Sequence, residues 1–445
     1  MRTSRRLPLL TLALAVTLTA AGCDIPARAA AVGSPTALER ATPEEVGMSS
    51  ERLARLHDAM QELVDSGQLA GITTMIARRG RIVDFRTYGY RDIGARSPMP
   101  EDAIFRIYSM SKPITGVALM TLYEEGKFRL SDPVQRYIPE FTNLQVVQSW
   151  GPRGPVLEPA DHPMTIRELM SHTAGLAYGI GAPGPVDSMY AARGVLSRDQ
   201  TLKDMIDKLA AMPLRHQPGS QWYYSIAVDV QGYLVEVLSG QPFDRFLEER
   251  IFGPLGMVDT GFHVPEPDHD RFAQYYEYDA DGNLVPTGRG EPNDAGGPPR
   301  ARPFLDPTTF FSGGGGMVST TMDYMRFSQM MLNGGELDGV RILSPSTVAL
   351  MTQNQMPRNA PERAPGVGFG LDFSVVLDQV GRAVYTSEGE YSWAGAAGTW
   401  FWIDPVEDLI FVGMIQQQGN GRPPVGAIAR QLTYQALTEL QADNQ

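Results

Sequence analysis

The most informative stretch of this 445-residue chain is Tyr108-Ser109-Met110-Ser111-Lys112-Pro113, and apolar residues at helical spacing follow it. Proline is tolerated only near the start of a helix, so Pro113 places Ser109 at a helix N-terminus. Lys112 is three positions on, one turn up the same face, so its ammonium is expected beside the Ser109 hydroxyl. A serine hydroxyl needs a base or a cation to act as a nucleophile. Alone, Ser-x-x-Lys is a weak pattern, and a capping serine with a surface lysine is the simpler interpretation.

The two ends of the chain predict a single antiparallel sheet. The β-branched runs, arranged as two hairpins, are residues 72–78 with 82–89 and residues 398–404 with 408–416. Amphipathic helices are predicted at 50–66 and 424–441. The expected fold class is α+β, with about five antiparallel strands from both chain ends flanked by helices.

The middle of the chain is expected to be mainly helical, with long loops. Residues 151–163 and 280–305 are rich in glycine and proline, which predicts exposed loops. We expect one domain over residues 45–440. Its α/β lobe would comprise residues 45–108 and 341–440, and its mainly helical lobe residues 109–340.

Composition excludes several functions. The formal net charge of −13 argues against nucleic acid or an anionic membrane surface as the main partner. Six scattered histidines and one cysteine disfavour a zinc site and a disulfide framework, so neither a metal nor a cofactor is expected. Any chemistry that needs a lysine has four candidates, which are Lys112, Lys127, Lys203 and Lys208.

The N-terminus predicts export. Arginines at positions 2, 5 and 6 precede Leu7–Ala20, an uncharged run too short to span a bilayer but typical of a signal peptide. Residues 1–30 are therefore expected to direct the protein to the periplasm or the exterior. Ala20-Ala21-Gly22-Cys23 resembles a lipoprotein box, so lipidation of Cys23 would tether the protein to the envelope. Plain cleavage near Ala27-Arg28-Ala29 is the alternative.

Two further motifs follow the serine. Gln217-Pro218-Gly219-Ser220-Gln221-Trp222-Tyr223-Tyr224-Ser225 lies in the middle of the chain, and Trp393-Ala394-Gly395-Ala396 precedes the C-terminal hairpin. Residues 169–176 (LMSHTAGL) and 313–320 (GGGGMVST) are additional landmarks. With these, the sequence resembles the serine β-lactamase and penicillin-binding-protein superfamily over residues 45–440. It looks most like class C β-lactamases and the related family VIII carboxylesterases, which implies a β-lactamase/transpeptidase-like fold.

The resemblance implies a role for each motif. Ser109 would be the acylated nucleophile, and Tyr224, which matches the tyrosine of the second motif, would be the general base. Lys112 would lower the pKa of that tyrosine, since a free tyrosine has a pKa near ~10 and needs a neighbouring cation to act near neutral pH. The backbone N–H groups of Ser109 and Ala396 would form the oxyanion hole.

Departures from the family pattern indicate the branch. Ile226 stands where class C enzymes have asparagine, and Trp393-Ala394-Gly395 stands where they have Lys-Thr-Gly. We therefore expect a substrate pocket formed by Trp393, Gly395, Ile226 and Tyr108. Such a pocket would disfavour an anion, because burying an unpaired carboxylate is costly. The expected activity is a carboxylesterase on small neutral esters, with weak β-lactam hydrolysis as a side activity.

Two other functions remain open. One is a β-lactamase or D-amino-acid peptidase, and the other is an inactive penicillin-recognising scaffold. Nearby features have structural interpretations. His172 is predicted to be a hydrogen-bonding residue rather than a base, and the glycines at 313–316 are predicted to allow close backbone packing beside the site.

Overall fold

The computed structural model describes residues 38–180, 184–287, 303–357, 363–419 and 421–441. They belong to one compact unit, Ser34–Gln445, and the division into two lobes stays a prediction. The expected signal segment with Cys23 lies outside the described residues. Within them, no helix combines the length and the apolarity that a membrane crossing requires.

The strands follow the chain in this order: β1 (Gly71–Arg78), β2 (Arg81–Asp92), β3 (Ser97–Pro98), β4 (Phe105–Arg106), β5 (Gln145–Gly151), β6 (Gly154–Pro159), β7 (Tyr275–Tyr278), β8 (Leu284–Thr287), β9 (Val318–Ser319), β10 (Glu336–Leu337), β11 (Val340–Arg341), β12 (Val367–Phe369), β13 (Ser374–Val376), β14 (Tyr391–Ala394), β15 (Trp400–Asp404) and β16 (Leu409–Met414).

The α-helices are α1 (Ser50–Asp65), α2 (Ser111–Glu124), α3 (Ile166–Met170), α4 (Pro185–Arg193), α5 (Leu202–Ala210), α6 (Ala227–Ser239), α7 (Phe243–Leu247), α8 (Gly253–Leu255), α9 (Thr321–Leu332), α10 (Pro345–Met351), α11 (Gln379–Arg382) and α12 (Val425–Tyr434).

The main sheet joins the two ends of the chain, as the sequence predicts. Its strand order is β12-β13-β14-β15-β16-β1-β2-β3, and neighbouring strands are antiparallel. At its centre, β1 pairs with β16 from Thr73 opposite Met414 to Arg78 opposite Leu409. The predicted α+β fold and antiparallel sheet are confirmed.

The sheet separates two apolar layers. Its outer face is covered by α1 and α12, and there the helix residues Leu53, Leu56 and Met60 pack against Trp402 and Phe411 of the sheet. Its inner face contacts α9, and the larger core beyond includes α2 packed on α6. The sheet therefore provides a rigid wall between a purely structural layer and the layer that holds the sequence motifs.

The sheet has eight strands rather than about five. The additional strands β3, β12 and β13 contain two or three residues each, too few to show an alternating pattern. The expected loop at 151–163 is wrong in part, because β5 and β6 form a hairpin through Gly154–Pro159. Proline and glycine are compatible with an exposed two-stranded ribbon. Of the second expected loop, residues 284–287 form β8, and residues 288–302 lie outside the described part.

Candidate active site

Ser109 lies in a strained turn directly before α2. Residues Tyr108–Met110 form a single 3-10 turn, and α2 follows at once. The φ angle of Tyr108 is +41°, a conformation that costs a residue other than glycine about 1–3 kcal/mol. The Tyr324 hydroxyl donates to the Met110 carbonyl (2.9 Å) and helps hold this turn. Ser109 is half-buried, so its hydroxyl is presented from a fixed backbone.

Lys112 is the centre of the site. The residue is fully buried, because α2 is surrounded by core residues along almost its whole length. Its Nζ donates to Ser109 Oγ (3.3 Å), to the Tyr178 hydroxyl (3.0 Å) and to the Gly314 carbonyl (2.5 Å). The structure thus brings the ammonium to the serine hydroxyl, as the three-residue spacing predicts.

The surroundings keep Lys112 charged. Burial acts to lower the pKa of Lys112, but its electrostatic interactions with Tyr178, Tyr224 and Asp229 and its hydrogen bond to Tyr178 outweigh burial and raise that pKa above its usual value. The side chain is therefore an ammonium at neutral pH. It can supply positive charge to a neighbouring group, but a separate side chain must accept the serine proton.

Tyr224 meets Lys112 through its ring. The ammonium lies over the ring face, 4.6 Å from the centroid, and the phenol oxygen is buried with no hydrogen-bond partner among the described residues. An unpaired buried hydroxyl is uncommon and often marks a functional group. Catalytic hydrogen bonds can also be long in a site without substrate. Among the described residues, no hydrogen bond joins the Tyr224 oxygen to Lys112.

Tyr178 is the residue that the sequence analysis missed. Its hydroxyl takes the place on Lys112 that was expected for Tyr224, and the edge of its ring contacts Tyr224 at 5.2 Å between centroids. Its N–H donates to Asp187 Oδ1 (2.9 Å), which fixes the segment. Burial raises the pKa of Tyr178. A signal was present, since this tyrosine comes two residues after the landmark at 169–176.

His172 accepts hydrogen bonds from the backbone of the second motif. Its Nδ1 accepts the Ser225 N–H (3.2 Å), and its carbonyl accepts the Tyr223 N–H (2.9 Å). Burial, together with the charge of Lys112, lowers the pKa of His172 well below its usual value. The predicted structural role is confirmed: a neutral imidazole holds the backbone on both sides of Tyr224.

The glycine landmark lets backbone approach the site. A Cβ on Gly314 would come within 2.3 Å of Asp229 Oδ2, and one on Gly313 within 2.8 Å of the Val228 carbonyl. Asp229 Oδ1 accepts the Gly314 N–H (3.1 Å) and the Ser312 hydroxyl. The prediction of close backbone packing is confirmed, and Asp229 positions the carbonyl that Lys112 contacts.

The third motif begins at the end of β14 and continues past Ala394. The Trp393 ring contacts Tyr224 (5.4 Å between centroids) and Phe369 (5.3 Å). A Cβ on Gly395 would come within 2.3 Å of the Ile107 carbonyl. Only glycine therefore allows this motif to pack against the segment that leads to Ser109.

The three remaining residues expected at the site differ in how far they are exposed. Ala396 is exposed, and its N–H has no backbone acceptor among the described residues. Tyr108 is half-buried against Phe304 (5.6 Å between centroids). Ile226 differs from expectation, because it is fully buried in the core at the start of α6. Its N–H donates to the Ala177 carbonyl (3.0 Å), so it joins the two tyrosine segments instead of lining an open pocket.

Known proteins match this chain in sequence and fold. The sequence model of the Beta-lactamase family matches residues 56–435. Esterase EstB of Burkholderia gladioli is 33% identical over 362 residues, which are 78% of this chain and 86% of EstB. A putative D-alanyl-D-alanine carboxypeptidase of Salmonella agona is 27% identical over 84% of this chain and 85% of its own.

A solved structure is similar over most of the chain. EstCE1, described as a hydrolase with promiscuous acyltransferase activity, superposes with a TM-score of 0.73 at 29% identity, covering 87% of this chain and 98% of EstCE1. In the part of the chain that the structure describes, no group of three His, Cys, Asp or Glu side chains is placed to hold a metal ion.

Proposed function

This chain belongs to the beta-lactamase family and is a serine hydrolase of that family, and from this premise we propose that it is a carboxylesterase. The observation that carries the proposal is the aromatic wall beside Tyr224. There Trp393 packs its indole against Tyr224, at the position where the β-lactamase pattern has a lysine. An aromatic wall suits the neutral acyl or alcohol group of an ester better than a buried carboxylate.

The proposed reaction begins at Ser109. Tyr224 takes the hydroxyl proton while Ser109 Oγ attacks the ester carbonyl, and the Lys112 charge stabilises the phenolate character of the base. The Ser109 and Ala396 N–H groups bind the oxyanion, and donors of this kind are typically worth ~3–4 kcal/mol in the transition state. The alcohol leaves with the proton from Tyr224, and water then hydrolyses the acyl-enzyme with the same base.

Tyr224 fits the role of base better than Tyr178. The oxygen of Tyr178 already accepts a hydrogen bond from Lys112, whereas the oxygen of Tyr224 has no competing partner among the described residues. We assign Tyr178 to positioning the ammonium. Its burial raises the pKa of Tyr178, which makes it harder to ionise than an exposed tyrosine.

The test compares two substrates on one enzyme. We expect purified protein to hydrolyse 4-nitrophenyl butyrate with a kcat/KM at least ~100-fold above that for a chromogenic cephalosporin, with Ser109→Ala at background for both. Preferred turnover of the cephalosporin, or of a D-alanyl-D-alanine peptide, would identify a β-lactamase or peptidase instead. Folded protein with no turnover of any substrate would support the scaffold function.

Export is proposed separately, because it rests on the N-terminal sequence alone. Intact-mass measurement of protein from envelope fractions should detect a mature chain beginning at Cys23 with a lipid modification if the lipoprotein box is used. A mature chain beginning after Ala29 would indicate plain cleavage, and retention of residues 1–30 would contradict export.

A further inference from the structure

The proposed reaction needs two backbone N–H groups side by side, and they come from distant parts of the chain. Ser109 lies just before α2, whereas Ala396 lies in the loop between β14 and β15. Neither N–H has a hydrogen-bond acceptor among the described residues. An oxyanion is stabilised best by donors that are fixed before the reaction starts, and a displacement of about 1 Å can cost ~100-fold in rate. The fold must therefore set the separation of these two segments.

The segment that leads to Ser109 is attached to the end of β16 by a glutamine. Gln416 comes two residues after β16 and is buried. Its Oε1 accepts the Arg106 N–H (3.1 Å), and its Nε2 donates to the Arg106 carbonyl (3.1 Å). One side-chain amide thus pairs with both backbone groups of Arg106, as a neighbouring strand would. Because Arg106 lies three residues before Ser109, this pairing restrains the approach to the serine turn.

The loop that contains Ala396, residues 395–399, is attached to the next residue along the chain. The Gln417 N–H donates to the Ala397 carbonyl (2.8 Å). Arg422 completes the attachment, because its Nη1 donates both to the Ala396 carbonyl (3.2 Å) and to the Gln417 carbonyl (3.0 Å). The guanidinium therefore bridges this loop and the segment that follows β16.

Direct contact between the two segments is less restrictive. Thr399 Oγ1 donates to the Ile107 carbonyl at 3.4 Å, which is long for a hydrogen bond of a hydroxyl group. Gly395 packs closely on the same carbonyl, but such packing opposes a closer approach and does not oppose separation. Arg422 is half-buried, and both of its side-chain hydrogen bonds go to backbone carbonyls rather than to a carboxylate. Its contacts thus serve the loop.

We propose that Gln416 and Arg422 are positioning residues that keep the Ser109 and Ala396 N–H groups at the separation that the oxyanion requires. Both act from the end of β16, which lies between β15 and β1 in the middle of the main sheet. Gln416 restrains the Ser109 side, and Arg422 restrains the Ala396 side. Neither side chain needs to touch the substrate, because each acts through a backbone N–H. This inference rests on the proposed esterase reaction and identifies what positions its oxyanion hole.

The experiment separates ester binding from oxyanion stabilisation. For each enzyme, kcat and KM are measured with 4-nitrophenyl butyrate, and Ki is measured for 1,1,1-trifluoropentan-2-one. The Ser109 oxygen adds to the carbonyl carbon of this ketone, the serine proton passes to Tyr224, and the carbonyl electron pair becomes an oxyanion in the hole. Loss of a positioning residue should lower kcat and raise Ki by similar factors, while KM changes less than about threefold.

The variants remove or reduce each attachment. We expect Gln416→Leu and Arg422→Met each to lower kcat about 10- to 100-fold, less than the ~10²–10³-fold cost of losing an oxyanion donor, because the N–H groups remain but are displaced. Arg422→Lys keeps a donor for the two carbonyls and should restore part of the activity. Gln416→Glu keeps the acceptor for the Arg106 N–H and loses the donor to its carbonyl, so its kcat should be intermediate.

Two matched controls test for a general loss of stability. Arg52 donates to the Gln435 carbonyl (2.9 Å) beside α12, and buried Gln329 donates to Asn333 at the end of α9. Arg52→Met and Gln329→Met therefore lose comparable hydrogen bonds away from the oxyanion hole. We expect both to leave kcat and Ki within about twofold of the unmodified enzyme, whatever their melting temperatures.

The possible failures are distinguishable. If the unmodified enzyme hydrolyses the ester through Ser109 but Arg422→Met keeps its kcat and Ki, the positioning role is wrong and the esterase proposal stands. The same conclusion follows if kcat falls without a rise in Ki, or if a control loses as much activity. If Gln416→Leu does not fold, Gln416→Glu and the Arg422 variants decide. If the unmodified enzyme does not hydrolyse the ester, the esterase proposal fails, and the positioning role fails with it.

Discussion

Two buried cations on opposite faces of the sheet differ in how they are satisfied. On the outer side, Arg78 is fully enclosed with Glu407, and its nitrogens also donate to the carbonyls of Val46, Gly47 and Glu439. On the inner side, Lys112 is equally buried, but none of its hydrogen-bond partners is a carboxylate.

This difference distinguishes a cation that only stabilises the fold from one that is available to a reacting group. The charge of Arg78 is neutralised by a fixed carboxylate, so it ties the two chain ends together and has nothing left to offer a ligand. The charge of Lys112 is shared between hydroxyls and a carbonyl, which leaves it available to stabilise an anion that forms on Ser109 or on a tyrosine.

Removing the two cations should have opposite consequences, and the loss of activity in Lys112→Met is the largest effect that we expect. Its kcat should fall roughly 10⁴-fold, because the base and the charge that supports it act as a unit. Arg78→Met should unfold more easily by about 3–5 kcal/mol, since it leaves Glu407 buried and unpaired, while the folded fraction stays active. Denaturant titration and ester kinetics on both variants measure this. Activity loss in Arg78→Met comparable to that in Lys112→Met would contradict the distinction.

Replacing each of the two tyrosines beside Lys112 by phenylalanine should lower kcat by different amounts. Tyr224→Phe is expected to lower kcat by about 10²–10⁴-fold, the usual contribution of a general base. Tyr178→Phe removes one hydrogen-bond partner of the ammonium and should cost about tenfold, with a shift of the kcat–pH profile. A matched pair of pH–rate profiles decides the assignment. The reverse order of the two losses would make Tyr178 the base.

A smaller effect is expected on the stability of the fold, through a buried carboxyl on the inner side of the sheet. Asp372 is fully buried, and burial raises its pKa well above the usual value even though Lys112 acts to lower it. A carboxyl with a raised folded-state pKa stabilises the fold below its unfolded-state pKa of ~3.8, and this stabilisation is lost as pH rises toward the folded-state value. Asp372→Asn keeps an acceptor for Gln231 and removes the titration.

We therefore expect Asp372→Asn to be more stable than the unmodified protein at pH 7 by more than about 1.4 kcal/mol, the equivalent of one pKa unit, with the gap closing near pH 4. Thermal unfolding at pH 4 to 8 measures it. A gap that does not depend on pH would mean that Asp372 does not titrate in this range.

Short-range features of the site were predictable from the sequence. Ser109 and Lys112 are three positions apart at the start of a helix, which predicts that they meet, and the central strands contain long β-branched runs. Tyr178 was not predictable in the same way, because its position beside Lys112 depends on a hydrogen bond between the Ala177 and Ile226 segments. The prediction that Ile226 lines the substrate pocket was wrong for a related reason. It follows Tyr224 by two residues, but α6 begins after it and turns its side chain into the core.

The nucleophile itself is tested most directly by labelling. Purified enzyme is treated with a 4-nitrophenyl alkylphosphonate, digested, and analysed by peptide mass spectrometry, with Ser109→Ala as the matched control. We expect one phosphonate on Ser109, with inactivation in proportion to labelling and no label in the variant. Inactivation with the label on another residue, such as neighbouring Ser111, or undiminished labelling of Ser109→Ala, would contradict it.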